Sequence, residues 1–184
     1  MSRARHSKPT YAVDVESFEP LPPATAATPT SPSGSSKSSA RSWAIALVVD
    51  AGPLYAYVDG DDAHHEACLE LLETHPGPLI VPTLVITEVA YLIASRLGWQ
   101  AETRFLGDLA AGEMSLEPVD RKDTLRIAEL VARYHDLPLG TVDASVIAAA
   151  ERLGASEVAT LDRRHFTVVR PRHVEAFSLL PYVA

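Results

Sequence analysis

Four acidic residues stand at positions where the sequence predicts strand ends or helix starts. Asp50 closes one short, β-branched apolar run, and Asp162 follows directly on another. Glu88 lies in the first half of a strongly apolar helix, where an unpartnered charge is costly, and Asp143 lies in the first turn of a second apolar helix. Ligands of open parallel sheets bind at the carboxyl ends of the strands, so we expect the four carboxylates to converge at that edge.

This set of residues suits metal-assisted phosphoryl chemistry. Clustered carboxylates repel one another, and a divalent cation removes that cost. Mg²⁺ prefers oxygen ligands, and a bound metal ion polarises a phosphoryl oxygen and activates a water. The sequence has no HExxH pattern and Cys68 is its only cysteine, which disfavours a zinc hydrolase. We therefore predict that the four acids are the catalytic residues and that together they bind Mg²⁺ or Mn²⁺.

Each acid also has an ordinary structural interpretation. Asp50 and Asp162 are typical of residues that start a loop. Asp143 suits the N-terminus of a helix, where it caps the backbone or complements the helix dipole. Glu88 has a candidate partner in Arg96, two turns further along its helix. For any one acid, the structural interpretation is a strong alternative to a metal site. The joint placement of all four acids favours the metal site.

Other polar residues lie beside the four acids in the sequence. Thr141 is predicted to cap the helix that carries Asp143, and Thr160 precedes Asp162 by two residues. Either hydroxyl is a possible contact to the pocket or the substrate. Arg163 and Arg164 are possible phosphate contacts at its rim, because guanidinium groups bind phosphate bidentately. The competing interpretation of the two arginines is a solvated turn.

Short apolar runs alternate with amphipathic segments along the chain, which predicts an α/β domain with a mainly parallel central sheet flanked by helices. Glycine and proline mark several of the predicted boundaries. The predicted strands cover residues 44–49, 79–81, 114–119, 157–161 and 167–169. The predicted helices cover about 54–58, 62–74, 84–97, 100–111, 122–134 and 143–153, with Asp120 as the cap of the fifth.

The first 42 residues differ in composition from the rest of the chain. Residues 20–42 are almost entirely Pro, Ala, Ser, Thr and Gly, which bury too little apolar surface to fold. We therefore predict a disordered N-terminal extension over 1–42 and a folded domain over 43–184. Residues 1–43 carry five Lys/Arg and three Asp/Glu, so the remainder holds 11 and 21 and has a net charge of −10. That charge disfavours a protein that binds nucleic acid by bulk attraction.

The sequence also bears on location. It has no run of about 18 apolar residues that would span a membrane. The basic residues near the N-terminus are not followed by the apolar region of a secretory signal. With one cysteine there is no intrachain disulfide, which suits a reducing compartment. We expect a cytoplasmic protein without membrane partners.

Four stretches, in this order, resemble the PIN-domain nucleases, and most closely the VapC-type toxins of bacterial toxin–antitoxin pairs. They span the predicted domain over residues 44–182, and the last ends in an aspartate-to-phenylalanine turn. The stretches are VVDAGPL (48–54), PTLVITEV (82–89), GTVDASVIA (140–148) and VATLDRRHF (158–166). Many members of that family have Ser or Thr two residues after the first aspartate, where this chain has Gly52.

The resemblance implies a PIN-like fold and an Mg²⁺- or Mn²⁺-dependent endoribonuclease, with Asp50, Glu88, Asp143 and Asp162 as the metal-pocket acids. It further implies an RNA substrate, such as tRNA or rRNA, and a cognate protein antitoxin as partner. The alternatives are a housekeeping PIN nuclease of RNA maturation or decay, and a catalytically silent PIN-like module that binds a protein. The intact set of acids argues against the silent module.

The resemblance and the pattern of helix 84–97 together predict a homodimer. This helix is apolar on more than one face, and such a helix needs cover on all sides. A central position within the monomer is the competing interpretation. The apolar residues concerned are Val85, Val89, Tyr91, Leu92 and Ile93.

Overall fold

The computed structural model describes residues 45–182. The predicted extension over 1–42 and both ends of the predicted domain 43–184 lie outside the described residues. Within 45–182 the strands are β1 (Leu47–Val49), β2 (Leu79–Pro82), β3 (Ser115–Glu117), β4 (Glu157–Ala159) and β5 (Ser178–Leu180). The helices are α1 (Ala51–Val58), α2 (His65–Thr74), α3 (Thr83–Leu97), α4 (Trp99–Ala111), α5 (Arg121–Arg133), α6 (Thr141–Leu153) and α7 (Arg163–Val168).

The five strands form one sheet in the order β3-β2-β1-β4-β5, and every neighbouring pair is parallel. Val48 of β1 pairs with Ile80 on one side and with Val158 on the other. All three residues are fully buried, as expected for a parallel strand covered on both faces. The predicted α/β class with a parallel sheet flanked by helices is confirmed.

The strand predicted over 167–169 is wrong. Residues 163–168 form α7, and the fifth strand lies later, at β5. The error has a local cause, because the β-branched run Thr167-Val168-Val169 suits a strand by propensity. Asp162 instead caps the N-terminus of α7, where its side chain accepts a hydrogen bond from the backbone nitrogen of Arg164. β4 likewise ends at Ala159 rather than at the predicted 161, so Asp162 follows the strand after a short turn.

Helix α6 is the central helix of the domain. Residues 144–150 are all buried, and Gly154, with φ 72°, ends the helix in a left-handed conformation that favours glycine. Its cap is Gly140 rather than the predicted Thr141, which is the first helical residue and is exposed. Asp143 therefore projects from the first turn of a helix that the core holds on all sides.

Ion pairs fix α6 against α5 at the end remote from Asp143. The Arg126 Nε lies 2.7 Å from the Glu151 Oε2, and both side chains are largely buried. The Arg152 Nε lies 2.9 Å from the Asp123 Oδ1, while Asp123 also completes a capping box with Asp120. Asp123 is thus an acid with a structural role. No helix among the described residues is long and apolar enough to cross a membrane.

Candidate active site

A cavity of about 800 Å³ opens at the carboxyl edge of the sheet. Because β1 and β4 are adjacent and parallel, the residues that follow them emerge side by side at this edge. Glu88 and Leu92, in the second and third turns of α3, and the first turn of α6 also line the cavity. All four predicted acids line it, together with Thr141, Arg163 and Arg164. The lining also includes Gly52, Gly140 and His165.

Asp50 lies at the floor of the cavity and is 6% exposed. Its Oδ1 accepts a hydrogen bond of 2.8 Å from the backbone nitrogen of Ala51, and its Oδ2 accepts one of 2.9 Å from the Thr160 hydroxyl. Burial raises the pKa of Asp50 to about 6, the two hydrogen bonds oppose the rise, and repulsion by Asp143 and Glu88 adds to it. Without a cation, the charged form of Asp50 is therefore costly at neutral pH.

The Thr160 side chain fixes the Asp50 carboxylate by a hydrogen bond. The threonine is fully buried and does not line the cavity, so the structure gives no support to the predicted contact between its hydroxyl and substrate. Its hydroxyl donates to the Asp50 carboxylate and accepts a 3.2 Å hydrogen bond from the backbone nitrogen of Asp162. Thr160 is a positioning residue that connects two of the predicted acids.

Asp143 is held at the first turn of α6. Its Oδ2 accepts a hydrogen bond of 3.1 Å from the backbone nitrogen of Gly140, which confirms the structural interpretation that this acid supports the helix start. The same oxygen lies 3.1 Å from the His165 Nδ1. That nitrogen is buried and unpaired within the described residues, because the contact is close but not aligned for a hydrogen bond.

Glu88 projects from α3 at the mouth of the cavity and is exposed. The surrounding protein still removes enough water to raise its pKa, and the charge of Asp143 adds to the rise. The alternative of a Glu88–Arg96 ion pair is wrong, because the Arg96 guanidinium lies over the Tyr55 ring, 5.2 Å from its centroid. Glu88 thus faces the other acids without a basic partner among residues 45–182.

Asp162 has the opposite environment. Its carboxylate accepts hydrogen bonds from the Arg164 side chain, 2.9 Å from Nε to Oδ1 and 2.5 Å from Nη2 to Oδ2. The Arg164 guanidinium lowers the pKa of Asp162 to about 2. One cavity thus contains an aspartate that resists ionisation, Asp50, and an aspartate that is fully ionised.

The two arginines that follow Asp162 differ in their hydrogen-bond partners and in their exposure to solvent. The Arg163 Nη2 donates to the carbonyl oxygens of Leu179 and Pro181, at 3.0 and 2.6 Å, which ties α7 to the end of β5. The side chain of Arg164 is 81% exposed. Arg163 is therefore committed to backbone carbonyls, and Arg164 is the arginine that reaches the open mouth.

Two glycines contribute to this site in a way that residue type alone does not reveal. A Cβ atom on Gly52 would lie 3.3 Å from the Leu161 Cβ, so glycine permits the close approach of α1 to the turn that carries Asp162. A Cβ atom on Gly140 would lie 3.0 Å from the Asp143 Oδ2 and would crowd that carboxylate. The sequence signal for both glycines is their position two or three residues from a predicted acid.

The donor atoms of the cavity fit a divalent cation in kind. They are carboxylate oxygens, which Mg²⁺ and Mn²⁺ prefer. Mutual repulsion contributes to the raised pKa of Asp50 and Glu88, and a cation would relieve it. Within residues 45–182, however, no three acidic, histidine or cysteine side chains are close enough together to hold one ion. Both oxygens of Asp162 are bound by Arg164, so this carboxylate can bind a cation only after the pair opens.

The family of the chain follows from its sequence over this same region. The model of the PIN domain family matches residues 47–170, which include the four acids and every strand except β5. The chain belongs to the PIN-domain family. The PIN domain is 33% identical over 135 residues to Ribonuclease VapC26 of Mycobacterium tuberculosis. That match covers 73% of this chain and 100% of the relative, which confirms the resemblance to VapC-type proteins.

Solved structures share the fold of this PIN domain. Mycobacterium tuberculosis VapC20, described as a Sarcin-Ricin loop cleaving toxin, matches with a TM-score of 0.58 and 20% identity, over 61% of this chain and 86% of that one. VapBC2 from Rickettsia felis, bound to a DNA fragment from its promoter, matches with a TM-score of 0.55 and 14% identity, over 74% and 99%. At these identities the two structures are evidence for the fold alone.

Proposed function

We propose that this PIN domain is an Mg²⁺- or Mn²⁺-dependent endoribonuclease and the toxin of a toxin–antitoxin pair. The observation that carries the proposal is the convergence of four acids from four separate segments on one cavity. The relative that is 33% identical over its whole length is named a ribonuclease, which supports RNA as the substrate class. A housekeeping nuclease would use the same cavity, whereas a silent binding module gives no reason for a buried aspartate with a raised pKa.

The proposed mechanism assigns a separate role to each group. Asp50, Glu88, Asp143 and Asp162 would hold the cation, and Thr160 keeps the Asp50 carboxylate oriented toward the cavity. When bound, the cation would activate a water and neutralise charge on the phosphate. Arg164, at the open mouth, would bind an RNA phosphate through its guanidinium. Arg163 is left out of this scheme, because its guanidinium is bound to carbonyl oxygens.

The experiment is RNA cleavage by the purified full chain with and without divalent cations. Cleavage should stop when EDTA is added and return with an excess of Mn²⁺ or Mg²⁺, because uncompensated acids repel the phosphate. Cleavage that continues unchanged in EDTA would refute metal dependence. Absence of cleavage in all conditions, for structured and single-stranded RNA alike, would refute the ribonuclease itself.

A protein antitoxin is the partner that this proposal requires. The support is the resemblance to VapC-type proteins at 33% identity, because that resemblance implies a cognate antitoxin. An acidic cavity that is open at its mouth also needs control in the cell, since its proposed substrate is cellular RNA. We assign the control to a partner that covers the mouth at Glu88 and Arg164.

The proposed homodimer must use exposed residues rather than the buried apolar face of α3. Val85, Val89 and Ile93 are fully buried within the monomer, which confirms the central position of α3 for these three. Tyr91 is 72% exposed and Trp99, at the start of α4, is 59% exposed. Exposed aromatic residues are typical of interface centres, so we place the two-fold interface on this surface.

Light scattering tests the dimer. The full chain should have the mass of a dimer at micromolar concentration, and Tyr91→Glu should shift it to a monomer, because a charge replaces an aromatic contact. Tyr182→Glu is the matched control, since Tyr182 is an 80% exposed tyrosine that lies outside α3 and α4. A parent protein that is only monomeric would contradict the dimer.

A further inference from the structure

Arg164 occupies the carboxylate of Asp162 in the cavity. The local sequence accounts for the arrangement, because Asp162 caps α7 and accepts a hydrogen bond of 3.2 Å from the backbone nitrogen of Arg164. The arginine side chain then folds back over the same carboxylate and contacts both of its oxygens. A cap and a side chain two residues later thus form one closed unit at the rim of the cavity.

The guanidinium supplies to Asp162 what a divalent cation would supply. It carries positive charge, and its planar fork matches the two carboxylate oxygens. The two Asp162 oxygens that accept hydrogen bonds from the guanidinium cannot at the same time be full ligands of a cation. Asp162 is therefore available to a cation in the cavity only when Arg164 releases it.

The pair is also open to exchange. The side chains of Arg164 and Asp162 are 81% and 39% exposed, and ion pairs in contact with water contribute little to stability. Arg163 provides the contrast, because its Nη2 is held by two backbone carbonyls and its Nε is buried. Arg163 is therefore fixed, whereas Arg164 can leave Asp162 at a small cost in free energy.

We infer that Arg164 is an exchangeable substitute for the cation: it holds Asp162 until a divalent ion arrives, and it is then released to bind the RNA phosphate. This inference rests on the proposed function, since it assumes the four-acid metal site. It makes cation binding and phosphate binding cooperative, because the ion frees the phosphate-binding group. By linkage, bound phosphate must raise the affinity for the ion by the same factor.

The test compares the parent chain with Arg164→Gln in two measurements. The first is the affinity for Mn²⁺ without RNA, by calorimetry. The variant should bind Mn²⁺ roughly three- to tenfold more tightly, because a weak surface ion pair no longer competes for Asp162. The second is single-turnover RNA cleavage at saturating Mn²⁺, which should be at least about tenfold slower, because a charge-assisted phosphate contact is lost.

Arg172→Gln is the control for net charge. Arg172 is also an exposed arginine paired with an acid, 2.6 Å from the Glu129 Oε2, and it does not line the cavity. This variant should leave both measurements within about twofold of the parent. Arg164→Lys keeps the charge but not the planar fork, so it should fall between the parent and Arg164→Gln in both measurements.

The opposite movement of the two measurements is the signature of the exchange. A purely structural Arg164 would weaken both Mn²⁺ binding and cleavage, and a plain phosphate ligand would slow cleavage with unchanged Mn²⁺ affinity. Either result overturns the inference while the ribonuclease proposal stands. A parent chain that binds no Mn²⁺ overturns the inference as well. A parent that binds Mn²⁺ without cleaving RNA refutes the proposed function and the release of Arg164 to RNA, whereas the Mn²⁺ affinities of parent and variant still test the competition for Asp162.

Discussion

Asp50→Asn should abolish RNA cleavage and, in the absence of divalent cations, raise the melting temperature. The amide keeps the shape of the side chain and removes an anionic ligand from the floor of the cavity. A cation that binds more weakly or off position reduces the rate by at least about 100-fold. The fold tolerates the change, because the Thr160 hydroxyl can turn to the carbonyl oxygen of Asp162, which lies 3.3 Å away.

The gain in stability follows from the sign of the pKa shift. The pKa of Asp50 rises from its ordinary 3.8 to about 6, so the folded state binds the proton more tightly than the unfolded state. The resulting stability is fully present below pH 3.8 and is lost as the pH rises through 6. At neutral pH the buried charge costs about 3 kcal/mol. The asparagine variant avoids that cost, which corresponds to an increase of about 5 °C or more.

Thermal melts from about pH 4 to pH 8, with and without Mn²⁺, measure this effect beside the cleavage assay. The parent should lose stability between about pH 4 and 6 in EDTA, and Asp50→Asn should lose less, because only the raised pKa of Glu88 still acts in that direction. Mn²⁺ should stabilise the parent at neutral pH and leave the variant nearly unchanged. Asp136→Asn, an exposed acid outside the cavity, is the control and should behave as the parent. Cleavage by Asp50→Asn at the parental rate would sink the acidic-pocket mechanism.

Asp143→Asn should lose cleavage to a similar extent, roughly 100-fold or more, with little change in stability. Asp143 makes one backbone hydrogen bond, from Gly140, and an asparagine oxygen can accept it in the same place. The substitution removes the negative charge of the carboxylate, which faces the cavity and lies 3.1 Å from the His165 Nδ1.

Asp123→Asn provides the matched comparison on the neighbouring helix. Asp123 is 4% exposed, lies 2.9 Å from the Arg152 Nε and belongs to a capping box. Arg152 is partly exposed and keeps Glu117 as a partner, 2.7 Å from its Nη1, so this variant should lose about 1–2 kcal/mol of stability through the weakened buried hydrogen bonds of Asp123. Its residual folded fraction should cleave RNA at the parental rate. If Asp143→Asn instead loses melting temperature and activity together, Asp143 is a structural acid as well.

Residue patterns are sufficient to predict most of the fold. The apolar runs of β1 and β4 are buried between helices on both faces of the sheet, which is the environment that a short β-branched run favours. Asp120 is predictable as a cap because its side chain and that of Asp123 stand at the spacing of a capping box. β5 is not predictable, because its three residues, Ser-Leu-Leu, have neither alternation nor β-branching, and only the neighbouring β4 makes them a strand.

The site, like the fold, has a part that the sequence predicts and a part that it does not. The four acids are predictable because strand ends and helix starts meet at one edge of a parallel sheet. The direction of each side chain is not, since it depends on contacts between distant segments. Thr160 lies beneath Asp50 instead of facing substrate, and Arg163 and Arg164 have opposite roles although they are adjacent and identical in type.

The order of strands in the sheet has a consequence for synthesis. β1 is the first strand of the described chain and the central strand of the sheet, and the contact between Asp50 and Thr160 closes a span of 110 residues. Contacts of such long range form late, because the intervening chain must be present and ordered first. During translation, Asp50 leaves the ribosome long before Asp143, Thr160 and Asp162. A nascent chain therefore lacks the complete cavity, and the ribosome that makes the protein is not exposed to its proposed activity until nearly all of the domain has emerged.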